Sequence, residues 1–292
     1  MKKVDLASLN LDGYLKSIGT DKIKSSLLKL KPQTKYQNII DNLDEIIKAE
    51  LPIIEIQFKS FSQHLSKKEK KKVENIFNYS GYRAKANFME HFKKLGIKSC
   101  PFCNNNYIYF YEKNAGQYNT LATLEHYYPK AKYPHLSLSF YNLIPSCSTC
   151  NSKFKGNNTH EGEILHPYYE DFDEKAQFSV SVDRLPTHKS IELSVKLESS
   201  DPRCIKSIDR FQLDKIYTQH SDIAQEIWNK AQVYNDSRID ELYESFYKNL
   251  GYSKEEVKNM IFCNYLDQKD INKRNHAKLT QDILKQLKLR QS

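Results

Sequence analysis

Residues 124–156 read LEHYYPKAKYPHLSLSFYNLIPSCSTCNSKFKG, and residues 100–103, upstream of them, read CPFC. Each stretch contains a Cys-x-x-Cys pair, and together the pairs supply four thiols: Cys100, Cys103, Cys147 and Cys150. Four thiolates complete a tetrahedral zinc site that has no open coordination position. In a reducing cytosol, paired cysteines are more often metal ligands than disulfides. We therefore expect one structural Zn²⁺ per chain, which holds the two stretches together.

A second group of polar residues in the same region suits a different metal. Glu125 and His126 end an apolar strand predicted over residues 120–126, and Asn151 follows Cys150 in a short helix predicted over residues 149–155. Carboxylate and amide oxygens are hard ligands that suit Mg²⁺ or Mn²⁺, with water and phosphate oxygens completing the shell. A neutral imidazole nearby is a fitting general base. The residues thus indicate a catalytic divalent-cation site, with Glu125 and Asn151 as ligands and His126 as the base.

The composition is that of a folded protein with an excess of positive charge. The 292 residues include 20 Tyr and 14 Phe, which argues against a disordered chain. The net charge of +9 favours a polyanionic partner such as nucleic acid, although a lysine-rich composition without any special partner would explain it as well. No apolar run approaches the roughly 20 residues of a membrane span, and no apolar signal region follows the N-terminus. We therefore expect a cytoplasmic protein with no membrane partner.

The N-terminal flank, residues 1–98, is predicted to be helical. Residues 39–51 have apolar side chains at helical spacing and predict an amphipathic helix that ends at Pro52. Ser66 and Glu69 form a capping-box pattern, which predicts the start of a lysine-rich helix. Its lysines at 70–72 could follow a phosphate backbone, but a solvated helix face is the preferred interpretation.

The C-terminal flank is predicted to begin with a hairpin and to continue as helices. Residues 175–199 alternate between apolar and polar side chains in two runs, as a β-hairpin does, and helical patterns follow Pro202. An apolar stripe at 239–250 is expected to lie in the core. The two single cysteines, Cys204 and Cys263, are expected to be buried thiols.

The order Glu125-His126, Asn142-Leu143, Cys-x-x-Cys-Asn151 resembles the motif of HNH, or ββα-metal, nucleases. The variant resembled is the one with two Cys-x-x-Cys pairs, and the resemblance covers residues 100–156. The family's first His falls on His126, its middle Asn on Asn142 and its last metal-binding position on Asn151, while Glu125 stands where Asp is usual. The local sequences EHYYPK, YPHLSL, NLIPSC and CNSKFKG are similar to HNH proteins of Septu-type and retron-associated anti-phage systems.

This resemblance implies a one-metal hydrolysis of phosphodiester bonds. His126 would deprotonate a water, and a cation held by Glu125 and Asn151 would stabilise the charge of the transition state. Asn142 would fix His126 by hydrogen bonds across the intervening loop. Three lysines would contact the flanking phosphates: Lys130, Lys153 and Lys155. Among the other histidines, His135 is expected at the surface, whereas His160 and His166 follow the motif closely enough to approach the metal.

Taken together, the sequence predicts an α+β protein that is mostly α-helical, with a central zinc-stapled ββα-metal unit between helical flanks. The predicted domains are an N-terminal helical region at 1–98, an HNH core at 99–170, and a hairpin with C-terminal helices at 171–292. The predicted function is that of an endonuclease acting on DNA in anti-phage defence, with an ATPase or another defence subunit as partner. Two alternatives stay open: a non-catalytic zinc module that binds nucleic acid or protein, and a nuclease that acts on RNA or tRNA.

Overall fold

A computed structural model describes residues 1–114, 117–155, 162–184 and 192–288. The chain divides into two compact units. Unit 1 contains Met1–Val4, Ile97–Tyr107 and Glu163–Ser292, and unit 2 contains Asp5–Gly96 and Ile108–Gly162. The division into three consecutive domains stays a prediction. As the sequence predicts, the fold is α+β and mostly helical. No helix within the described ranges has both the length and the apolar character needed to cross a membrane.

The first part of unit 2 is helical, as predicted. Its α-helices are α1 (Leu11–Ile18), α2 (Asp21–Leu28), α3 (Gln37–Asp41), α4 (Leu43–Lys48), α5 (Leu51–Ile53), α6 (Lys67–Phe77), α7 (Tyr79–Arg83) and α8 (Ala86–Lys93). The capping box at the start of α6 is confirmed, because the Ser66 side chain accepts from the Glu69 N–H and the Glu69 carboxylate accepts from the Ser66 N–H. This cap satisfies backbone donors at the beginning of α6 and fixes its first turn.

The amphipathic helix predicted over residues 39–51 is broken in the structure. It is divided between α3 and α4, which meet at Asn42, and Pro52 lies within the first turn of α5. A proline is tolerated there because the first N–H groups of a helix have no partner inside the helix. Pro52 therefore helps to begin a helix, whereas the sequence pattern predicted that it would end one.

Unit 2 continues with two antiparallel strand pairs. The strands are β1 (Phe110–Asn114), β2 (Gln117–Thr120), β3 (Thr123–His126) and β4 (Leu143–Ser146). β1 pairs with β2, and β3 pairs with β4. In the second pair, Glu125 lies opposite Ile144 and His126 lies opposite Leu143. A strand was predicted over residues 120–126; the structure divides this stretch between the end of β2 and the whole of β3.

Two short segments complete the surroundings of the β3–β4 pair. Residues 127–142 connect the two strands and contain the 3₁₀ turns Pro134–Leu136 and Phe140–Asn142. After β4, the predicted short helix is present as a π-helix, Thr149–Lys155. Gly156, expected to end that helix, lies outside the described residues. The order strand, loop, strand, helix places the motif residues within one compact part of unit 2.

Unit 1 contains the predicted hairpin and the C-terminal helices. Strands β5 (Ala176–Arg184) and β6 (Glu192–Ser199) pair in antiparallel fashion, which confirms the hairpin. The helices are α9 (Pro202–Phe211), α10 (Leu213–Tyr217), α11 (Ser221–Val233), α12 (Asp236–Ser245), α13 (Lys254–Ile261) and α14 (Ala277–Gln286). The hairpin packs against α11 and α14. Polar side chains of α14 also bond to β5: the Phe178 N–H donates to Asp282 Oδ2 at 2.7 Å.

Two expectations for this unit are wrong in part. Ile239 of the apolar stripe is buried, but Phe246 and Leu250 are 57% and 58% exposed. The reason is that α12 ends at Ser245 and the backbone of Phe246 leaves the helical region, so the helical spacing no longer applies. Of the single cysteines, Cys204 is buried as expected, whereas Cys263 is exposed.

Candidate functional site

The four cysteines of the two Cys-x-x-Cys pairs meet in one buried cluster. Their sulfur atoms all lie within 4.8 Å of one another, close to the separation of about 3.8 Å that tetrahedral Zn–S bonds of about 2.3 Å require. The N–H groups of Asn105 and Cys150 donate to Cys103 Sγ and Cys147 Sγ, each at 3.4 Å. Such bonds stabilise thiolate ligands. The donor set therefore fits a structural zinc ion, and no other group of three or more His, Cys, Asp or Glu side chains among the described residues comes as close together.

Asn104 organises the first cysteine pair, a role that the sequence did not reveal. Its backbone has φ +49°, a conformation that Asn tolerates better than most residues. Its buried side-chain amide donates to Ser99 Oγ and to the carbonyls of Ile271 and Arg274, and its Oδ1 accepts from the Lys278 N–H. These bonds hold the turn after Cys103 in place. The run of three asparagines after Cys103 was the available signal, but it did not single out Asn104.

Glu125 and His126 lie at the end of β3, where both side chains are buried. Glu125 is only 1% exposed, and its carboxylate forms an ion pair with the ammonium of Lys155. The same ammonium donates to the backbone carbonyl of His126 at 2.6 Å. Lys155 thus connects the end of the π-helix to β3. Its positive charge lies directly against the Glu125 carboxylate, which was predicted to bind a cation.

This position differs from the one expected for Lys155. The sequence suggested a lysine that contacts flanking phosphates, which requires an ammonium at the surface. The side chain is 7% exposed, and Glu125 and the His126 carbonyl engage its charge. A buried carboxylate needs a counter-charge, so the Lys155 ammonium is held inside the protein.

The His126 side chain is buried, with 7% of its surface exposed. Its Nε2 lies 3.1 Å from the carbonyl oxygen of Ser137, and its ring contacts the ring of Tyr79 at a centroid distance of 4.5 Å. The pKa of His126 is lowered to about 3, mainly by burial; the bond to Ser137 opposes this shift, and the nearby charges of Lys155 and Lys130 contribute to it. The ring is therefore neutral near pH 7. Because a carbonyl can only accept, Nε2 carries the proton and Nδ1 carries the lone pair that could accept one.

Asn142 spans the loop that follows His126. Its amide nitrogen donates to the carbonyls of Leu136 at 2.9 Å and Tyr128 at 3.1 Å, and its Oδ1 accepts from the Tyr128 N–H at 2.6 Å. The Asn142 side chain is fully buried. Three side-chain bonds from one residue thus close the loop of residues 127–142 next to His126.

The remaining residues predicted to belong to the site differ in how exposed their side chains are. The Asn151 N–H donates to the Cys147 carbonyl at 3.1 Å, so this residue is anchored to the second cysteine pair. Lys130 is half-buried: its Nζ lies 5.4 Å from the centre of the Tyr79 ring and 3.6 Å from Glu74 Oε1. Lys153 is exposed. The structure therefore joins Lys155 to the Glu125 carboxylate and to the backbone carbonyl of His126, and it links Lys130 to the His126 ring through Tyr79.

The expectation for His135 is wrong. The side chain is fully buried, its Nε2 donates to the Phe58 carbonyl at 2.9 Å, and burial lowers its pKa to about 4. His166 is also buried, and its Nδ1 accepts from the Tyr168 N–H at 3.2 Å, so that nitrogen serves a local turn. His160 lies outside the described residues.

Comparison with known proteins gives two partial matches. No protein-family model matches the chain, and no solved structure does so significantly. The chain is 31% identical over 64 residues to Septu protein PtuB of Bacillus thuringiensis, covering 22% of this chain and 25% of that protein. It is 32% identical over 74 residues to Protein ea31 of Escherichia phage lambda, covering 24% of this chain and 21% of that protein. The matches span no more than a quarter of the length of these relatives.

Proposed function

We propose that this chain is a metal-dependent nuclease of the HNH type that hydrolyses phosphodiester bonds in DNA. The observation that carries the proposal is the His126 site itself. A buried imidazole, neutral near pH 7 and with Nε2 bonded to the Ser137 carbonyl, directly follows a buried carboxylate in the sequence of the same strand. A module that only binds zinc or nucleic acid needs no general base.

In this proposal, the side chains of the site have separate tasks. His126 accepts a proton from the attacking water at Nδ1, because its Nε2 proton is held by the Ser137 carbonyl. Asn142 keeps the loop closed, so the imidazole stays oriented. Glu125 and Asn151 would hold a Mg²⁺ or Mn²⁺ ion, which would supply Lewis-acid stabilisation of the developing negative charge. Lys130 and Lys153 contact the phosphates on either side.

The charge arrangement around Glu125 determines how a divalent cation could bind there. The buried carboxylate is already paired with the buried Lys155 ammonium, so a cation held by Glu125 would take the place of that ammonium. This pairing favours the second candidate, a non-catalytic zinc module, because a Lys155–Glu125 pair can serve structure alone. The two candidates differ in whether Glu125 binds a metal ion, and that difference can be measured.

The biological setting we propose is defence against phage, acting with a second subunit such as an ATPase. The support is the partial similarity to a Septu protein, together with the sequence resemblance to HNH proteins of such systems. The net charge of +9 favours a nucleic-acid substrate. RNA or tRNA is the alternative substrate, because hydrolysis of either backbone can use the same groups.

The test compares wild type with His126→Gln and His126→Ala. Glutamine keeps an N–H donor that can reach the Ser137 carbonyl but lacks a base, so the fold should be retained while the base is lost. Cleavage of duplex DNA, single-stranded DNA and tRNA is measured in Mg²⁺ and in Mn²⁺, with any required partner present. We expect both variants to cleave about 10²- to 10⁴-fold more slowly than wild type, the usual contribution of a positioned general base.

Two further variants separate the remaining roles. Asn142→Ala should reduce the cleavage rate less than His126→Ala does, because it acts through the loop. Asn151→Ala should weaken metal binding, so that higher Mn²⁺ concentrations restore part of the rate. Equal rates for wild type and both His126 variants would remove His126 from the mechanism and the HNH assignment with it.

A further inference from the structure

The exposed face of α6 carries a regular set of lysines. Lys67, Lys68, Lys71 and Lys72 are all exposed, and the spacing places Lys71 one turn after Lys67 and Lys72 one turn after Lys68. Two tiers of ammonium groups therefore lie about 6 Å apart along the helix axis. The capping box at Ser66 fixes the first turn, so the position of these tiers is set by the fold.

The two acidic residues of α6 neutralise this face only in part. Glu69 caps the helix and pairs with Lys35 at 2.7 Å. Glu74 lies between two lysines: its Oε2 is 2.9 Å from Lys71 Nζ, and its Oε1 is 3.6 Å from Lys130 Nζ. With five lysines and two glutamates in the helix, the face keeps a clear excess of positive charge.

A continuous series of contacts joins this face to His126. Lys71 and Lys130 share Glu74, Lys130 lies over the ring of Tyr79, and that ring contacts the His126 ring. In addition, α6 packs against the Pro134–Leu136 turn, which belongs to the loop that Asn142 closes. The positive face therefore begins next to the proposed base and leads away from it.

We propose that the α6 lysine face, together with Lys130, binds the phosphate backbone of the nucleic acid that is cut at His126. This inference rests on the proposed function for the location of the cut, but the binding surface can be tested without any cleavage. Lysine is a compact point charge that suits repeated phosphate contacts without base recognition. The surface therefore supplies affinity and register, and it does not distinguish one sequence from another.

The chemistry of α6 favours nucleic acid over a lipid surface. A helix that binds a membrane exposes an apolar face beside its lysines, whereas Val73 and Phe77 of α6 are fully buried in the protein. An acidic protein would also be attracted by the lysines. It would compete for the same ammonium groups but would not show the linear salt dependence of counterion release from a polyphosphate.

The experiment uses the full chain with His126→Gln as background, so that bound DNA stays intact. In this background, Lys67, Lys68, Lys71 and Lys72 are changed together to Gln. The matched control changes four other exposed lysines to Gln and removes the same net charge: Lys206, Lys215, Lys248 and Lys269. Binding of a fluorescent duplex is measured at several salt concentrations, and the α6 variant and the control are also made with His126 intact for cleavage assays.

We expect the α6 variant to bind more weakly by at least tenfold, with the slope of log K against log salt reduced by about 0.9 for each phosphate that the variant can no longer neutralise. The control should keep most of the affinity and the slope. With His126 intact, the α6 variant should cleave with a raised KM and a nearly unchanged kcat.

Equally weakened binding in the α6 variant and the control, or an unchanged salt slope in the α6 variant, would overturn the inference. If the wild-type chain cleaves nothing but the α6 variant still binds more weakly than the control, the inference is supported and the proposed function is contradicted.

Discussion

Two histidines in unit 2 illustrate how burial controls chemistry at the level of single residues. His126 and His135 both bond through Nε2 to a backbone carbonyl, and burial lowers the pKa of each well below the ordinary value. The difference lies in their surroundings. His126 adjoins a buried carboxylate at the end of a strand, whereas His135 bonds to Phe58 and lies close enough to Lys70 to be affected by its charge. Only His126 directly follows a buried carboxylate in the sequence.

His135 predicts a specific loss of stability in acid. The pKa of His135 is about 4 in the folded protein and about 6.5 in the unfolded chain. Between these two pH values, His135 is mostly protonated in the unfolded state and mostly neutral in the folded state. The stabilisation from neutral His135 is complete above pH 6.5 and falls progressively toward pH 4. Between pH 7.5 and pH 5 the loss is about 2 kcal/mol.

The measurement compares urea unfolding of wild type and His135→Gln at these two pH values. Glutamine can keep a donor toward Phe58 but does not titrate, so the variant should lose about 2 kcal/mol less than wild type over this range. Other titrating groups affect both proteins and cancel in the comparison. An identical pH dependence for the two proteins would show that His135 titrates normally in the folded state.

Sequence patterns predict the surroundings of some site residues better than those of others. The cluster of four cysteines follows from motif spacing, because paired metal ligands must recur at intervals that a turn imposes. The roles of Glu125 and His126 stay predictions. The prediction for His135 is wrong because nothing in its neighbourhood indicates that Phe58, far away in the chain, supplies a carbonyl to its ring. The burial of Lys155 could not be predicted for a related reason: only the packing of the π-helix against β3 places its ammonium against Glu125.

At the level of elements, the π-helix Thr149–Lys155 connects the second cysteine pair to β3. It begins beside Cys150 and ends at Lys155, whose ammonium contacts both Glu125 and the His126 carbonyl. A wider turn than that of an α-helix changes the direction of the later side chains, and such turns are frequent at functional sites. The sequence predicts the extent of this helix but carries no signal for its type.

Removing the charge of Lys155 tests whether Glu125 binds a divalent cation. Lys155→Met leaves a buried carboxylate without its counter-charge and should destabilise the protein by about 3–5 kcal/mol. If Glu125 binds a divalent cation, Mn²⁺ should raise the melting temperature of Lys155→Met more than that of wild type. The double variant Glu125→Gln/Lys155→Met removes both charges and should lose this response to Mn²⁺. Equal Mn²⁺ responses in all three proteins would argue against Glu125 as a metal ligand.

At the level of the whole molecule, the cysteine cluster joins segments that are far apart in sequence, Cys100 and Cys103 with Cys147 and Cys150. Purified protein should contain about one Zn²⁺ per chain. Cys147→Ser should lower both the zinc content and the melting temperature, because structural zinc contributes directly to folding free energy. Cys263→Ser is the control, since this exposed cysteine lies outside the cluster. Folded wild-type protein that contains no zinc by elemental measurement would refute the site.

The helices, the hairpin and the cysteine pairs could be predicted because local periodicity and spacing specify them. Which segments of the chain make up each of the two compact units could not be predicted. Unit 1 gathers Met1–Val4, Ile97–Tyr107 and Glu163–Ser292, and such returns of the chain depend on packing between residues far apart in sequence. Single hydrogen bonds show this dependence: the Val4 N–H donates to the Pro167 carbonyl, and the Lys98 and Ser99 N–H groups both donate to the Asn272 carbonyl.

This interleaving of segments has a consequence for the order of biosynthesis. All of unit 2 has been synthesised once Gly162 is added, before any residue of Glu163–Ser292 exists. The early segments of unit 1 must wait for these later residues before they can pack. For a chain proposed to cut nucleic acid, every proposed catalytic side chain, from Glu125 to Asn151, is therefore made before the larger part of unit 1.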